Sequence, residues 1–431
     1  MVKQIAFIVV LLITLGVFSY TAMRIYHFFK LTKPFPINQL GKRFNMMMTV
    51  AIGQSKIFRR PVVGLMHALV FWGFMVITLG SLEMVIDGLT GSERSLRILG
   101  LFYDIITASG DVFALIVLLM ILGFLFRRLF MSIARFKGIE MKKRSKVDAN
   151  VALTIILILM VSLLGMNTYY IILQPENHAG VYPVSHQFAG LIGAQGSQHL
   201  MHELFWWMHI LFIFIFANLL PYSKHFHVFM SVPNVFLSRL EPLGYLRHMP
   251  SIEKEVRLML NPETAYAAPA ESPAVVERFG VKDVEDVTWK TYLDSLACTE
   301  CGRCTSVCPA NLTGKKLSPR KIIMDVRARM NQKGPGMIKS GREFNDMKSL
   351  LHDYVSAEEL WACTTCNACA QECPININHP SLIVDMRRYL VMEEAAAPAS
   401  LNLMFTYIEN NGAPWQYPAH ERETWMAEVV N

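Results

Sequence analysis

"CTECGRCTSVCP" occupies residues 298–309 and "CTTCNACAQECP" residues 363–374. Between them they hold all 8 cysteines of a 431-residue chain. Each stretch reads C-x2-C-x2-C-x3-C-P. Three cysteines at this spacing wrap their thiolates around one face of a cubane, while the fourth is carried too far round to close the same site and ligates the other cluster. The expected ligand sets are therefore crossed. Cys298, Cys301 and Cys304 join Cys373 on one [4Fe-4S] centre, and Cys363, Cys366 and Cys369 join Cys308 on the second. Tetrahedral zinc needs only paired C-x2-C units and has no use for a third cysteine followed by x3-C-P.

Working outward, 54 residues separate Cys308 from Cys363, more than a compact bacterial ferredoxin places between its halves. They include "SPRKIIMDVRARM" (318–330), whose Ile322, Ile323, Val326 and Met330 recur at roughly helical intervals. A helical ferredoxin domain over 286–395 follows. Upstream, "NPETAYAAPAESPAVVERFG" (261–280) is rich in Ala, Pro and Glu without apolar periodicity and reads as part of a linker covering 231–285. Residues 396–431 are left as a tail suited to contacting a partner.

The first half is different in kind. Residues are 53% hydrophobic over the whole chain, more than a soluble domain needs, and the excess lies before residue 230. Apolar runs near 5–29, 61–86, 110–130, 151–173 and 203–226 each approach the roughly 20 residues that cross a bilayer. The first run is too long for a signal core and lacks a small-residue cleavage pattern, so it reads as an uncleaved span. The segment from Lys30 to Arg60 is basic with no acid, and that from Arg127 to Lys146 carries eight basic residues. Gln174–Leu204 has neither Lys nor Arg. Basic loops stay inside, which puts the N-terminus outside and the cysteines in the cytoplasm of a bacterial or archaeal cell, where disulfides are disfavoured. The net charge of +7 is thus a topology signal, and no nucleic-acid recognition motif accompanies it.

Histidines inside spans are candidate haem ligands, because a b-type haem takes neutral imidazoles from facing helices. His67 lies in the second run and His209 in the fifth, with His225 and His227 following in "PYSKHFHVF". Counted along straight helices, His67 lies roughly 10 Å inside the membrane, His209 roughly 22 Å, and His227 roughly 4 Å on the cytoplasmic side. Depth alone does not choose a pair.

Residues 285–395 resemble the ferredoxin domain of the heterodisulfide reductase and anaerobic glycerol-3-phosphate dehydrogenase families. Fused members continue into a Cys-Cys-Gly domain, and these residues contain no such motif, so the resemblance implies that the catalytic partner is another polypeptide. The stretch "HELFWWMHILFIFIFANLLPYSKHFHVFMSVP" resembles the fifth helix of the respiratory nitrate reductase gamma subunit, a five-span dihaem cytochrome b. That family's inner ligand follows a Pro-aromatic-Ser-basic-x-x-His pattern, matched by Pro221, Tyr222, Ser223, Lys224 and His227, and pairs with the position of His67. Its outer haem uses the position of His209 with a histidine where this chain has Ile77. His209 is therefore carried as a second-haem ligand or a quinone-site residue, with His178, His186, His199 and His202 as sources of a replacement ligand.

The fold expected is an all-α membrane protein: a five-helix transmembrane cytochrome b domain over 1–230 plus a cytoplasmic α-helical ferredoxin domain. The function expected is that of an electron-transfer subunit of a quinone oxidoreductase. It would link a cytoplasmic Cys-Cys-Gly iron-sulfur subunit or an electron-transfer flavoprotein, through two [4Fe-4S] clusters and haem b, to membrane quinone, with menaquinone implied by the resemblance. The alternative is a redox-sensing anchor without turnover.

Overall fold

A computed structural model describes residues 1–193, 196–261, 263 and 278–429; most of the Ala/Pro-rich stretch expected as linker lies outside them. Five long apolar helices form the first half: α1 Val2–Lys30, α2 Pro61–Thr90, α3 Leu101–Phe130, α4 Lys143–Leu173 and α5 Gln198–Leu219. Thirty residues rise about 45 Å where the hydrocarbon layer spans about 30 Å, so the helix ends project beyond it. Pro61 opens α2, where its fixed φ and missing N–H suit the first turn. Gly91, at φ 73°, closes the same helix in the left-handed region.

Each helix packs on the next in sequence, and α5 returns to α1, closing a ring. Side chains such as Leu12, Leu65, Met75, Leu79, Leu122 and Phe126 face outward. That outer belt is apolar all round, as contact with lipid tails requires. α4 is the most enclosed of the five.

The fifth span breaks at its end. After α5 come a short 3-10 turn at Leu220–Tyr222, an extended Ser223 (φ −104°, ψ 156°) and a second 3-10 turn at Lys224–Phe226. Pro221 contributes no N–H to continue the helix, and the Ser223 hydroxyl accepts the His225 amide at 3.0 Å. A new helix, α6 (His227–Phe236), then starts in a different direction and packs on the second half of the chain.

That second half is built from α7 (Trp289–Ala297), α8 (Arg303–Ser306), α9 (Pro319–Ser340), α10 (Ala368–Glu372) and α11 (His379–Met392). Thr288 caps α7, Ser318 caps α9 and Asn378 caps α11, each accepting a backbone amide. Ile322, Ile323, Val326 and Met330 of α9 are all buried. The first three join the core around the cysteines. Met330 belongs to a second core shared with the ring of spans, in which Ile25 and Phe28 of α1 and Leu220 and Phe226 meet Tyr292, Leu296 and Met337. Gly334 makes room for this, since a Cβ there would lie 2.5 Å from the Phe28 ring. The backbone joins in as well: Lys33 N–H donates to Val287 at 2.8 Å and Trp289 N–H to Lys33 at 2.9 Å. Helix Ala399–Asn411 near the C-terminus buries none of its residues.

Candidate redox centres

The two cysteine motifs adopt the same backbone. Glu300 and Thr365, two residues after the first cysteine of each, lie at φ 57° and 55°, and Gly302 and Asn367, after the second, at 73° and 60°. Left-handed conformations at matched places curl each segment around a point. The short helices that follow, α8 and α10, pack against each other.

The thiols gather in two crossed groups. Burial pushes Cys373 up to about 12, with neighbouring Cys301 and Cys298 adding to the effect. Cys304 is raised well above the ordinary thiol range, first by burial and then by Cys301, Cys298 and Cys373. In the other group, burial raises Cys369 to about 12 with help from Cys363, Cys308 and Cys366. Cys308 is raised by burial, with Cys363 and Cys366 contributing. The groups adjoin where Cys304 feels Cys369. Such buried sulfurs hold thiolate charge only beside compensating cations, which the irons of a cluster supply. Backbone amides point at the sulfurs too: Thr365 N–H donates to Cys363 Sγ at 3.4 Å, and the amide of Glu300, at the matching place in the first motif, serves Cys298. Among the described residues no three His, Cys, Asp or Glu side chains converge as ligands of a single ion do. A cubane, by contrast, spreads its four thiolates over four irons. The donors fit two [4Fe-4S] clusters.

The groups differ in their surroundings. Cys298, Cys304 and Cys373 are buried and Cys301 half-buried, whereas Cys366 in the second group is exposed. The first group is pressed onto the spans. Gly302 lies so close to the α3–α4 connection that a Cβ would stand 2.7 Å from the Arg135 carbonyl oxygen. Arg320, 1% exposed, pairs with Glu140 of that connection at 2.6 Å, and the Ser318 hydroxyl donates to the same carboxylate at 2.7 Å. Burial pushes the Glu140 carboxyl up, but Ser318 and Arg320 outweigh it and hold the carboxyl below its ordinary value. Glu300 is bound by Arg327 and by Ser145 at the start of α4. Lys224, whose ammonium donates to the Ser145 carbonyl at 2.6 Å, approaches Glu300 to 3.8 Å.

At the same end of the ring, the break after α5 brings the His227 ring to 6.4 Å from that of His67, centre to centre, with 34° between their planes. Two imidazoles on one iron, through metal–nitrogen bonds of about 2 Å, put their ring centres roughly 6 Å apart. His227 Nδ1–H donates to the Lys224 carbonyl at 3.3 Å, which leaves Nε2 free to act as a ligand. The pair fits an axial ligand set for haem b. His225 packs its ring on His227 at 5.8 Å, and its Nε2 is buried without a partner.

His209 stands apart, deep in the ring. Its Nδ1 meets the Leu159 carbonyl and the Ser162 hydroxyl, both on α4 and both at 3.0 Å, and its Nε2 is buried with no partner among the described residues. Ile77 is packed among Ala114, Val117 and Ile121. His202 lies against Tyr170 and His178 against Tyr182, and among the described residues no histidine ring is paired with that of His209. Sequence reasoning singled out the cysteines and histidines but missed Glu140, Glu300, Arg303 and Arg320, which join the two halves of the molecule. The one signal available was the charged pair in "TECGRC" where the second motif has "TTCNAC".

A family profile described as "4Fe-4S dicluster domain" matches residues 297–377. The chain is 28% identical over 419 residues to the "Probable iron-sulfur-binding oxidoreductase FadF" of Bacillus subtilis, covering 90% of this chain and 55% of that protein. It is 30% identical over 424 residues to the "EtfAB:quinone oxidoreductase" of Syntrophomonas wolfei, covering 91% and 55%. A 107-residue stretch is 35% identical to one polypeptide of the "Ferredoxin/F(420)H(2)-dependent CoB-CoM heterodisulfide reductase" of Methanosarcina acetivorans, covering 25% of this chain and 52% of that one. The chain spans about half the length of the long curated relatives it matches. No solved structure matches. Its homologues are iron-sulfur oxidoreductases, and a 4Fe-4S dicluster domain is present next to five helices long and apolar enough to span a membrane.

Proposed function

We propose that this chain conducts electrons between a cytoplasmic redox partner and membrane quinone, as a subunit of a quinone-linked oxidoreductase. The observation that carries the reading is the stacking of three donor sets toward one end of the ring: a cysteine group with Cys366 exposed, a more enclosed one beside it, and the His67–His227 pair where the spans end. When bound, two [4Fe-4S] clusters and a b-type haem each store one electron reversibly. The chain's part is to fix their order. Cys363, Cys366, Cys369 and Cys308 hold the outer cluster, Cys298, Cys301, Cys304 and Cys373 the inner one, and His67 with His227 the haem.

The similarity to a protein named EtfAB:quinone oxidoreductase supports electron-transfer flavoprotein as the soluble partner. The heterodisulfide reductase relatives support a Cys-Cys-Gly iron-sulfur protein in the same place. Residues 396–431, with the uncovered helix Ala399–Asn411, are the proposed contact. Menaquinone is the quinone proposed. His209, with a bare buried Nε2 in the ring, is assigned to a second haem or to the quinone. The basic segments that meet the dicluster domain, including Arg59, Arg60 and Arg135, support a cytoplasmic location for that domain and an N-terminus outside.

Purified protein in lipid nanodiscs, given reduced electron-transfer flavoprotein and a water-soluble menaquinone analogue, should reduce the quinone in a cluster-dependent way. Centres that titrate without turnover would overturn the reading in favour of a sensing anchor. A reporter active only outside the cytoplasm should work when fused after Asn177 and stay silent after Lys142.

A further inference from the structure

Within the inner cysteine motif itself the buried cation is Arg303, 5% exposed and sitting between Cys301 and Cys304 with Gly302. Its guanidinium donates to the carbonyls of Lys56 at 2.9 Å and Ile57 at 3.3 Å. Among the described residues no carboxylate lies within ion-pair distance of it; the nearby Glu372 is engaged by Arg59 at 3.6 Å and Arg60 at 3.7 Å. A buried arginine bonded only to neutral carbonyls is costly unless an anion stands close by. What stands close by is chiefly sulfur: Arg303 interacts electrostatically first with Cys301, then with Glu372, which Arg59 and Arg60 already engage, and with Cys373 of the inner group. The carbonyl it grips leads to the haem site: a Cβ on Gly64, in the first turn of α2, would lie 2.5 Å from the Ile57 oxygen, and His67 is three residues further on. In the outer motif the matching residue is Ala368.

We propose that Arg303 is a positioning residue that locks the inner cysteine group onto the start of α2 and raises the reduction potentials of the inner cluster and the inner haem relative to the outer cluster. The proposal rests on the cofactor assignment above. A cubane held by four thiolates carries net negative charge that grows on reduction, so a fixed cation without a carboxylate partner favours the reduced form. The guanidinium reaches from the inner motif to the approach to α2, so both inner centres gain, and the outer cluster, whose Cys366 is exposed, gains less. Electrons entering at the outer cluster then run toward the membrane.

The test is a redox titration of purified holoprotein, following the clusters by electron paramagnetic resonance and the haem by its optical spectrum. The inner cluster is identified as the one perturbed in Cys298→Ser. Arg303→Gln should lower the inner cluster and the haem by at least tenfold in their reduced-to-oxidised ratio, which is 59 mV for a one-electron centre, with the outer cluster unmoved. Arg303→Lys should recover most of the shift, and Ala368→Arg should raise the outer cluster alone. Equal shifts of both clusters in Arg303→Gln, or no shift with both clusters intact, would overturn the proposal. Should Arg303→Gln fail to assemble, the Lys and Ala368→Arg variants decide it alone. Protein isolated with two clusters but no haem would sink the haem assignment, while the contrast between the clusters would still be read.

Discussion

The two cysteine motifs share their backbone and half their residues, yet the membrane half grips the first between its ligands and meets the second only near its end, where Arg59 and Arg60 reach Glu372. The inner motif has Glu300, Gly302 and Arg303 where the outer has Thr365, Asn367 and Ala368. Glu300 is clamped by Arg327, Ser145 and Lys224, Gly302 admits the α3–α4 connection, and Arg303 grips the approach to α2. The outer replacements make none of these contacts; Thr365 and Asn367 bond within their own turn. One folding unit used twice is set in two different surroundings through three positions between the ligands. The ligands themselves carry no direction.

The strongest way to break this comparison is to exchange the crossed ligands. Cys308→Ser should damage the outer cluster and Cys373→Ser the inner one, each leaving the other's spectrum in place. A self-contained pair of sites would show the opposite assignment. The parent protein should contain about eight iron and about eight sulfide besides haem iron, as two cubanes require. Stoichiometric zinc without sulfide would end the cluster reading.

Next in size is the haem. His67→Ala and His227→Ala should each abolish the inner b-type spectrum while the protein still inserts, because insertion follows hydropathy and the satisfied backbone of the spans. Both clusters should survive, which separates the membrane site from the dicluster domain. A full haem spectrum in His67→Ala would overturn the ligand pair. His209→Ala either removes a second haem, assigning His209 as its ligand, or impairs quinone reduction with the spectrum unchanged.

The third prediction concerns the seam between the halves. Glu140→Ala leaves Arg320 buried and unpaired, a loss of about 3–5 kcal/mol for a buried pair. It should appear as a lowered midpoint for unfolding of the dicluster domain. Lys316→Met, which breaks the exposed Lys316–Glu358 pair on the solvent side, should leave that midpoint unchanged. The seam also has a pH signature. The folded Glu140 carboxyl lies below its ordinary value, so its contribution is complete above the unfolded value of about 4.3 and is lost as pH falls through the lower folded one. The parent, and not Glu140→Ala, should lose stability through this group in that acid window.

These seam residues also mark where sequence reasoning runs out. The spans were legible because apolar runs of sufficient length have few other uses, and the cysteine motifs because their spacing suits a cubane. The Glu140–Arg320 contact was not, since it joins residues 180 positions apart and each half, read alone, is an ordinary charge in a loop or on a helix. The His67–His227 approach came from the resemblance and not from counting along the helix, for a local reason. Counting rise along a straight fifth helix leaves His227 outside the membrane, but Pro221 and the extended Ser223 end that helix, and the two short turns change the chain's direction before His227. Linear counting holds only while the hydrogen-bond ladder is unbroken.

The smallest expected effect tests the backbone identity on which the comparison rests. Gly302 and Asn367 both sit in the left-handed region, where a residue with a Cβ costs about 1–2 kcal/mol, less for Asn because its side chain bonds locally. Asn367→Ala should therefore cost about 1 kcal/mol and leave both clusters and the haem spectroscopically unchanged. Gly302→Ala carries the full conformational cost, of which Asn367 already bears a part, and adds a Cβ 2.6 Å from Arg320 Nη1 and 2.7 Å from the Arg135 oxygen, so a carbonyl of the membrane half must move. Its loss should exceed that of Asn367→Ala by an amount that shrinks to the backbone difference when Arg320 is also replaced by Ala and the α3–α4 connection is free to withdraw. Equal losses in the two single variants would mean that the inner motif does not bear on the membrane half, and the difference between the motifs would reduce to their exposure.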